Sequence, residues 1–188
     1  GDSAVRDARQ RLQGMRRQAG LNSLRRKAAA AVGQEDWQAA VEQYRKALDI
    51  DPVAGFATGG LRHAQERVKL HAQFDHYIEA PSRLYSAAPL ANAEKLLASA
   101  SAAPPDAPRL AQKISELREL VTRASTPVTV TLKSDGATSV VIYHVGRLGQ
   151  FETHQQQLLP GDYTSVGSRP GYRDVRKVIA VRPGVPLQ

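Results

Sequence analysis

The segment Thr126–Val145, TPVTVTLKSDGATSVVIYHV, decides how the chain divides, because the spacing of apolar residues changes within it. Valine and leucine alternate with polar residues over 128–132, which is the two-residue period of a half-buried β-strand. The triplet Ser-Asp-Gly at 134–136 is typical of a turn. A strand is predicted over Thr138–Val145, and because its run Val140–Val145 is apolar on both faces, we expect this strand to be central.

The pattern continues to the end of the chain. Further strands are predicted at Leu158–Val166 and Gly171–Val181, with turn signals at 160–161 and 169–172. About five strands at this spacing suit a small all-β sandwich or barrel. We therefore assign residues 126–188 to a β domain.

Everything before residue 126 has the composition and spacing of helices. The patterns predict helices at 2–19, 21–32, 37–50, 56–78, 89–101 and 109–124, with a proline-rich turn at 102–108. Residues 1–125 are thus predicted to form an all-α domain. The expected class is α+β with two domains.

One helical hairpin has a recognisable pattern. Leu24–Pro52, LRRKAAAAVGQEDWQAAVEQYRKALDIDP, places small residues and large aromatics where two helices meet at a short turn. It resembles one tetratricopeptide (TPR) repeat. The resemblance implies a helical array that binds a protein partner. The packing positions that match are Ala28, Trp37, Ala40, Tyr44, Ala47 and Pro52.

The β domain carries a second resemblance. Leu159–Thr164 reads LPGDYT, and Gly171-Tyr172-Arg173 leads into an alternating strand that ends at Val181. These elements resemble a PEGA domain, and Ser134–Ala137 lies where that family's namesake tetrapeptide falls. The resemblance implies a small β-sandwich of bacterial or archaeal envelope proteins, often attached to membrane anchors. It implies no catalytic residues.

Charge favours acidic partners. The formal net charge is +8, with the excess at the two ends of the chain. Nucleic acid, anionic lipid headgroups and acidic glycans all suit such a balance. No nucleic-acid fold signature is present and aromatic residues are few, so nucleic acid is the weakest of the three. No apolar run is long enough to span a membrane, and we expect membrane contact only through a segment outside this chain.

The sequence offers no catalytic or metal-binding pattern. Cysteine is absent, and the five histidines, His63, His71, His76, His144 and His154, lack the spacing of a metal motif. Nucleophile elbows and phosphate-binding glycine loops are missing as well. We expect no enzyme activity, no cofactor and no metal.

A basic cluster near the C-terminus is the candidate ligand or partner surface. It consists of Arg169, Tyr172, Arg173, Arg176 and Lys177. Arginine binds carboxylate or phosphate with two parallel hydrogen bonds, and an exposed tyrosine can stack on a sugar. The alternative is structural: Tyr172 fills the core at a turn and the cations form a solvated strand face.

These observations favour a non-enzymatic binding or scaffold protein of the bacterial cell envelope, on the periplasmic or extracytoplasmic side of the membrane. The helical region would bind a protein partner, and the β domain would bind peptidoglycan or another envelope component. The alternatives are a cytoplasmic adaptor that recognises a helix in a groove, and a basic nucleic-acid-binding protein.

Overall fold

The structure, a computed structural model, describes residues 2–100 and 107–185. Five α-helices precede an antiparallel β region in these residues, which confirms the predicted α+β class. The helices are α1 (Asp2–Gly33), α2 (Trp37–Ile50), α3 (Gly55–Ile78), α4 (Ala87–Ser99) and α5 (Pro108–Ser125), with a 3₁₀ turn at Pro81–Tyr85. The strands are β1 (Val128–Lys133), β2 (Ser139–Ile142), β3 (Gly146–Gln150), β4 (Thr153–Leu158), β5 (Gly161–Ser168) and β6 (Val175–Val181).

The described residues fall into two compact units that divide between Asp75 and His76 and again between Gln112 and Lys113. The first unit holds the chain up to Asp75 and the start of α5. The second holds the segment from His76 through α4 and everything from Lys113 onward. The change from helix to strand comes at 125–128, as predicted. The proline-rich turn predicted at 102–108 lies mostly outside the described residues.

The first helix is longer than predicted. The sequence indicated two helices separated near Gly20, but α1 runs without a break from Asp2 to Gly33. A glycine within a helix costs only about 1 kcal/mol relative to alanine, which a long helix tolerates. A Cβ at position 20 would meet only Ile50 Cδ1, at an ordinary contact distance of 3.5 Å, so Gly20 marks no special backbone geometry. The predicted break is therefore wrong.

The core of the first unit forms where α1, α2 and α3 pack together. Asp36 precedes α2, and its side chain accepts a hydrogen bond of 3.0 Å from the Ala39 N–H, which caps the helix. Small residues from the three helices let their backbones approach. The buried apolar residues of this unit are Leu21, Ala28, Ala31, Trp37, Ala40, Val41, Ala47, Ala54, Ala57, Ala64, Phe74, Ala107 and Leu110.

The β region consists of two antiparallel sheets. One pairs β1 with β4, and the other has the order β3-β2-β5-β6. Val130, Leu158 and Val181 are buried together, so residues of both sheets contribute to one apolar cluster. Tyr163 packs against this cluster, and its hydroxyl donates a hydrogen bond of 2.9 Å to the Leu159 carbonyl. Burial raises the pKa of this hydroxyl above its ordinary value.

The strand predictions succeed where apolar alternation is strong. Strand β1 has the predicted bounds, and β2 lies between two other strands, as its apolar sequence indicated. The predicted strand at 138–145 is too long, because the chain turns after Ile142. Strands β3 and β4 were missed. The sequence of β4, THQQQL, has little β-propensity of its own, and its full-length pairing with β1 compensates.

Candidate binding surface on the β5–β6 hairpin

The loop between β5 and β6 brings an arginine and a tyrosine together. Arg169 and Tyr172 are the first and last residues of a turn closed by a 3.1 Å bond from the Tyr172 N–H to the Arg169 carbonyl. Pro170 fits the second position of such a turn, and Gly171 has φ +83°, which suits the third position of a type II turn. The guanidinium carbon of Arg169 lies 4.8 Å from the centre of the Tyr172 ring.

The carboxylate of Asp135 forms an ion pair with the guanidinium of Arg169. Its Oδ2 lies 3.4 Å from Nη1 of the arginine. The same carboxylate accepts hydrogen bonds from the N–H groups of Ala137 (2.9 Å) and Thr138 (2.7 Å) and from the Thr138 hydroxyl (2.9 Å). These bonds, with a smaller contribution from Arg169, lower the pKa of Asp135 from 3.8 to about 2. Arg169 is therefore an organising residue that orients the Tyr172 ring.

Tyr172 lies on the surface. It is 68% exposed, which contradicts the alternative that it fills the core at a turn. One exposed phenol ring beside a guanidinium can stack on a sugar or a planar group. Arg173, the next residue, is exposed in the same loop.

Strand register separates the remaining two members of the predicted surface. Arg176 pairs with Val166 and Lys177 with Ser165, and adjacent strand residues point to opposite faces. Ser165 in turn pairs with the buried Ile142, so Lys177 belongs to the face of the sheet that carries the core residues. Arg176 belongs to the outer face. Arg176 and Lys177 are both exposed, but they project from opposite faces of the strand, so a flat ligand on the outer face would reach Arg176 and not Lys177.

The outer face adds an arginine that the sequence analysis missed. Arg147 pairs with Val141, Val141 with Val166, and Val166 with Arg176, so these four residues form one row across the four strands. At strand spacing, the two arginines at its ends are about 14 Å apart. Arg147 could not be found from the sequence because β3 has two glycines and no alternation. Val178, in the next row, is 73% exposed.

Arg182 has a different role. It donates to the carbonyls of Gly161 (3.1 Å) and Val181 (3.0 Å) and to Asp162 Oδ1 (2.6 Å), and its guanidinium lies 5.3 Å from the Tyr85 ring. These contacts engage several of its donors within the second unit. Arg182 therefore stabilises the end of the sheet.

A cavity of about 290 Å³ lies beside Arg182. It is lined by the β1 residues 128–131, by Val181 and Arg182, and by Val185. Four of its seven lining residues are valines and two are threonines. The seventh, Arg182, already donates its hydrogen bonds within the second unit, and we assign no ligand to this cavity.

In the first unit, the TPR-like positions are found at the helix contacts. Ala28, Ala40 and Ala47 are buried, Tyr44 is half-buried, and Pro52 is exposed just after α2. Trp37 is buried against an edge of the His63 ring, 5.5 Å away, with the Arg67 guanidinium 5.3 Å from its ring. All of the TPR-like positions except Pro52 are buried or half-buried, in keeping with a role in packing the helices.

Glu35 is a buried carboxylate that sequence reasoning missed. It is 6% exposed, in the left-handed region at φ +52°, just after α1. Its oxygens accept from the N–H groups of Arg109 (2.6 Å) and Leu110 (3.1 Å), the first turn of α5. His71 Nε2 lies 3.8 Å from the same carboxylate. Glu35 thus caps a distant helix, as anions favour helix N-termini.

Among residues 2–100 and 107–185, no group of three or more histidine, aspartate or glutamate side chains is placed to hold a metal ion. Within that same described part of the chain, no helix is both long and apolar enough to cross a membrane.

No protein-family model matches the chain, and neither a curated protein nor a solved structure is significantly similar to it. The TPR-like and PEGA-like resemblances therefore stay predictions.

Proposed function

We propose that this chain is a non-enzymatic binding or scaffold protein of the bacterial cell envelope, in which the β5–β6 hairpin binds an acidic cell-wall glycan and the helical region binds a protein partner. The PEGA-like elements support the envelope setting. The observation that carries the glycan proposal is the loop geometry: Asp135 and Arg169 hold an exposed Tyr172 ring, and the exposed Arg173 and Arg176 follow it along the chain.

Charge and shape both favour a glycan at this surface. Within the described residues, neither Arg173 nor Arg176 has an acidic partner, so both guanidinium groups are available for a carboxylate. A tyrosine ring offers stacking area to a sugar at little cost in side-chain entropy. A single-stranded nucleic acid needs several such rings in succession, and this hairpin offers one.

Co-sedimentation with purified cell-wall sacculi tests the proposal. The chain should be retained at low and moderate salt, and the double variant Arg173→Ala/Arg176→Ala should bind at least about tenfold more weakly, because two charge-assisted hydrogen bonds are lost. Tyr172→Ala should also weaken binding.

Two controls make the result specific. Arg45→Ala/Lys46→Ala removes the same charge from exposed positions of α2, and Lys177→Ala removes a cation from the other face of the hairpin. Both should bind sacculi as the unmodified chain does. Equal retention of every variant, or retention by nucleic acid in place of sacculi, would refute the glycan proposal.

A further inference from the structure

The first half of α1 buries no side chain against the rest of the described structure, and it touches that structure through an ion pair between Arg17 and Asp51. Every residue from Asp2 to Ala19 is exposed, and α1 first becomes buried at Leu21. These eighteen residues span about 27 Å of helix. Helices in proteins gain most of their stability from packing one face against a neighbour, so this stretch lacks the usual source of stability.

The exposed stretch carries an apolar seam. Val5, Ala8, Leu12, Met15 and Ala19 follow one another at alternating spacings of three and four residues, which is the a/d pattern of a seven-residue repeat. Val5, Leu12 and Met15 are 51%, 44% and 62% exposed. The seam is narrow, as in a coiled coil, and lacks the broad, aromatic-rich face of a helix that lies in a membrane surface.

The seam is separate from the helix face that packs in the first unit. Leu21, Ala28 and Ala31 are the buried residues of α1. At 100° per residue, their mean direction lies about 170° around the helix axis from the seam. Arg17, which bonds Asp51 at 3.2 Å, is on the packed side. The seam therefore cannot be covered by α2, and it is available to another molecule.

Charges beside the seam determine which molecule fits. Arg9 and Arg16 occupy the e positions and Arg11 a g position of the repeat. In a parallel pair of identical helices, Arg11 of one copy would face Arg16 of the other. In an antiparallel pair, Arg9 of one copy would face Arg16 of the other. Both arrangements place like charges together, so a second copy of this chain is disfavoured. Glutamates at the corresponding positions of a different helix would pair with these arginines.

We infer that residues 5–19 of α1 form a docking seam for one helix of a partner protein that carries acidic residues on both sides of its own apolar stripe. The inference deepens the helical half of the proposed function and rests on it. It is independent of the glycan surface on the β hairpin.

Peptide binding to the full chain tests the inference. The probe is a synthetic three-heptad peptide with leucine at a and d and glutamate at e and g, labelled for fluorescence anisotropy. It should bind at low salt about tenfold more tightly than a matched peptide with lysine at e and g, because several cross-helix charge pairs change sign. Raising the salt should reduce this preference.

Variants then locate the binding. Leu12→Gln/Met15→Gln removes the seam but keeps good helix formers, and should abolish measurable binding of both peptides. Arg9→Glu/Arg16→Glu should reverse the preference toward the lysine peptide. Arg6→Glu/Arg26→Glu makes the same change in net charge away from the seam and should keep the preference for the glutamate peptide.

Several outcomes would overturn the inference. These are equal binding of the two peptides, a dimer in light scattering that Leu12→Gln/Met15→Gln dissolves, and binding of phosphatidylglycerol vesicles but of neither peptide. Sacculus retention is measured on the same variants. If the unmodified chain is retained by sacculi but binds neither peptide, the docking seam alone is contradicted. If it binds the glutamate peptide but is not retained by sacculi, only the glycan surface is contradicted.

Discussion

At the scale of single residues, Asp135 organises the candidate surface. It closes its own turn through Ala137 and Thr138 and holds Arg169, which lies against the Tyr172 ring. A carboxylate that accepts several hydrogen bonds is stabilised in its ionised form. The folded pKa lies below the ordinary value of 3.8, so this contribution to stability is complete above that pH and disappears as pH falls through about 2.

Carboxyl NMR titration of Asp135 checks this assignment. The midpoint should lie near 2 in the unmodified chain. Thr138→Ala should raise it because the hydroxyl bond is lost, whereas Thr138→Ser keeps that bond and should leave the midpoint low. Arg169→Ala should raise it less than Thr138→Ala, since the arginine makes the smaller contribution. An unmodified midpoint at the ordinary value would show that the turn does not form as described.

At the scale of secondary-structure elements, the contact between α2 and α3 depends on a missing side chain. The Tyr44 ring of α2 lies directly over Gly60 of α3, where a Cβ would overlap the ring. Gly59 also lies in α3, but nothing is within 4 Å of the position its Cβ would take. Substituting Gly59 therefore tests helix propensity alone, whereas substituting Gly60 tests the packing of α2 against α3 as well.

Gly60→Ala should lower the free energy of unfolding of the first unit by about 1–3 kcal/mol, because the added methyl group overpacks the contact with Tyr44. Gly59→Ala should raise it by up to about 1 kcal/mol, since alanine favours the helix. Urea unfolding followed by the fluorescence of Trp37, the chain's single tryptophan, measures both. Equal effects of the two substitutions would contradict the described contact.

At the scale of the whole molecule, Glu35 joins parts of the chain that are far apart in sequence. Arg109, whose N–H it accepts, is 74 residues away. The Glu35 carboxylate is buried at the start of α5, and it also lies near His71 of α3. Such a cap fixes where a helix starts relative to the rest of its unit, and no local pattern encodes it.

Glu35→Gln should lower the free energy of unfolding of the first unit by about 1–3 kcal/mol, because an amide replaces the charged acceptor of two backbone N–H groups. Glu42→Gln, at an exposed position of α2, is the matched control and should change stability little. Trp37 fluorescence in urea again gives the measurement. Identical unfolding midpoints for the two variants would exclude a capping role for Glu35.

The sequence predicted the bounds of an element correctly where its apolar pattern was long and regular. The alternation of Val128, Val130 and Leu132 gave the bounds of β1, and the helical spacing of Leu110, Ile114, Leu117 and Val121 predicted α5 to within one residue at each end. Prediction from the sequence failed at Gly20, where α1 continues without a break. It also failed at β3 and β4, because their glycines and glutamines form no strand pattern. Those strands form because β2 and β1 pair with them.

The sequence by itself determined the α+β class, the place where helix gives way to strand, the turn at Pro170-Gly171 and the basic character of the candidate surface. These depend on local conformational preference and on the period of apolar residues. Only the tertiary structure decided that Tyr172 is exposed, that Arg176 rather than Lys177 lies on the outer face, and that Arg147 joins the row of Arg176. Strand register and burial set these positions, and both arise from contacts between residues distant in sequence.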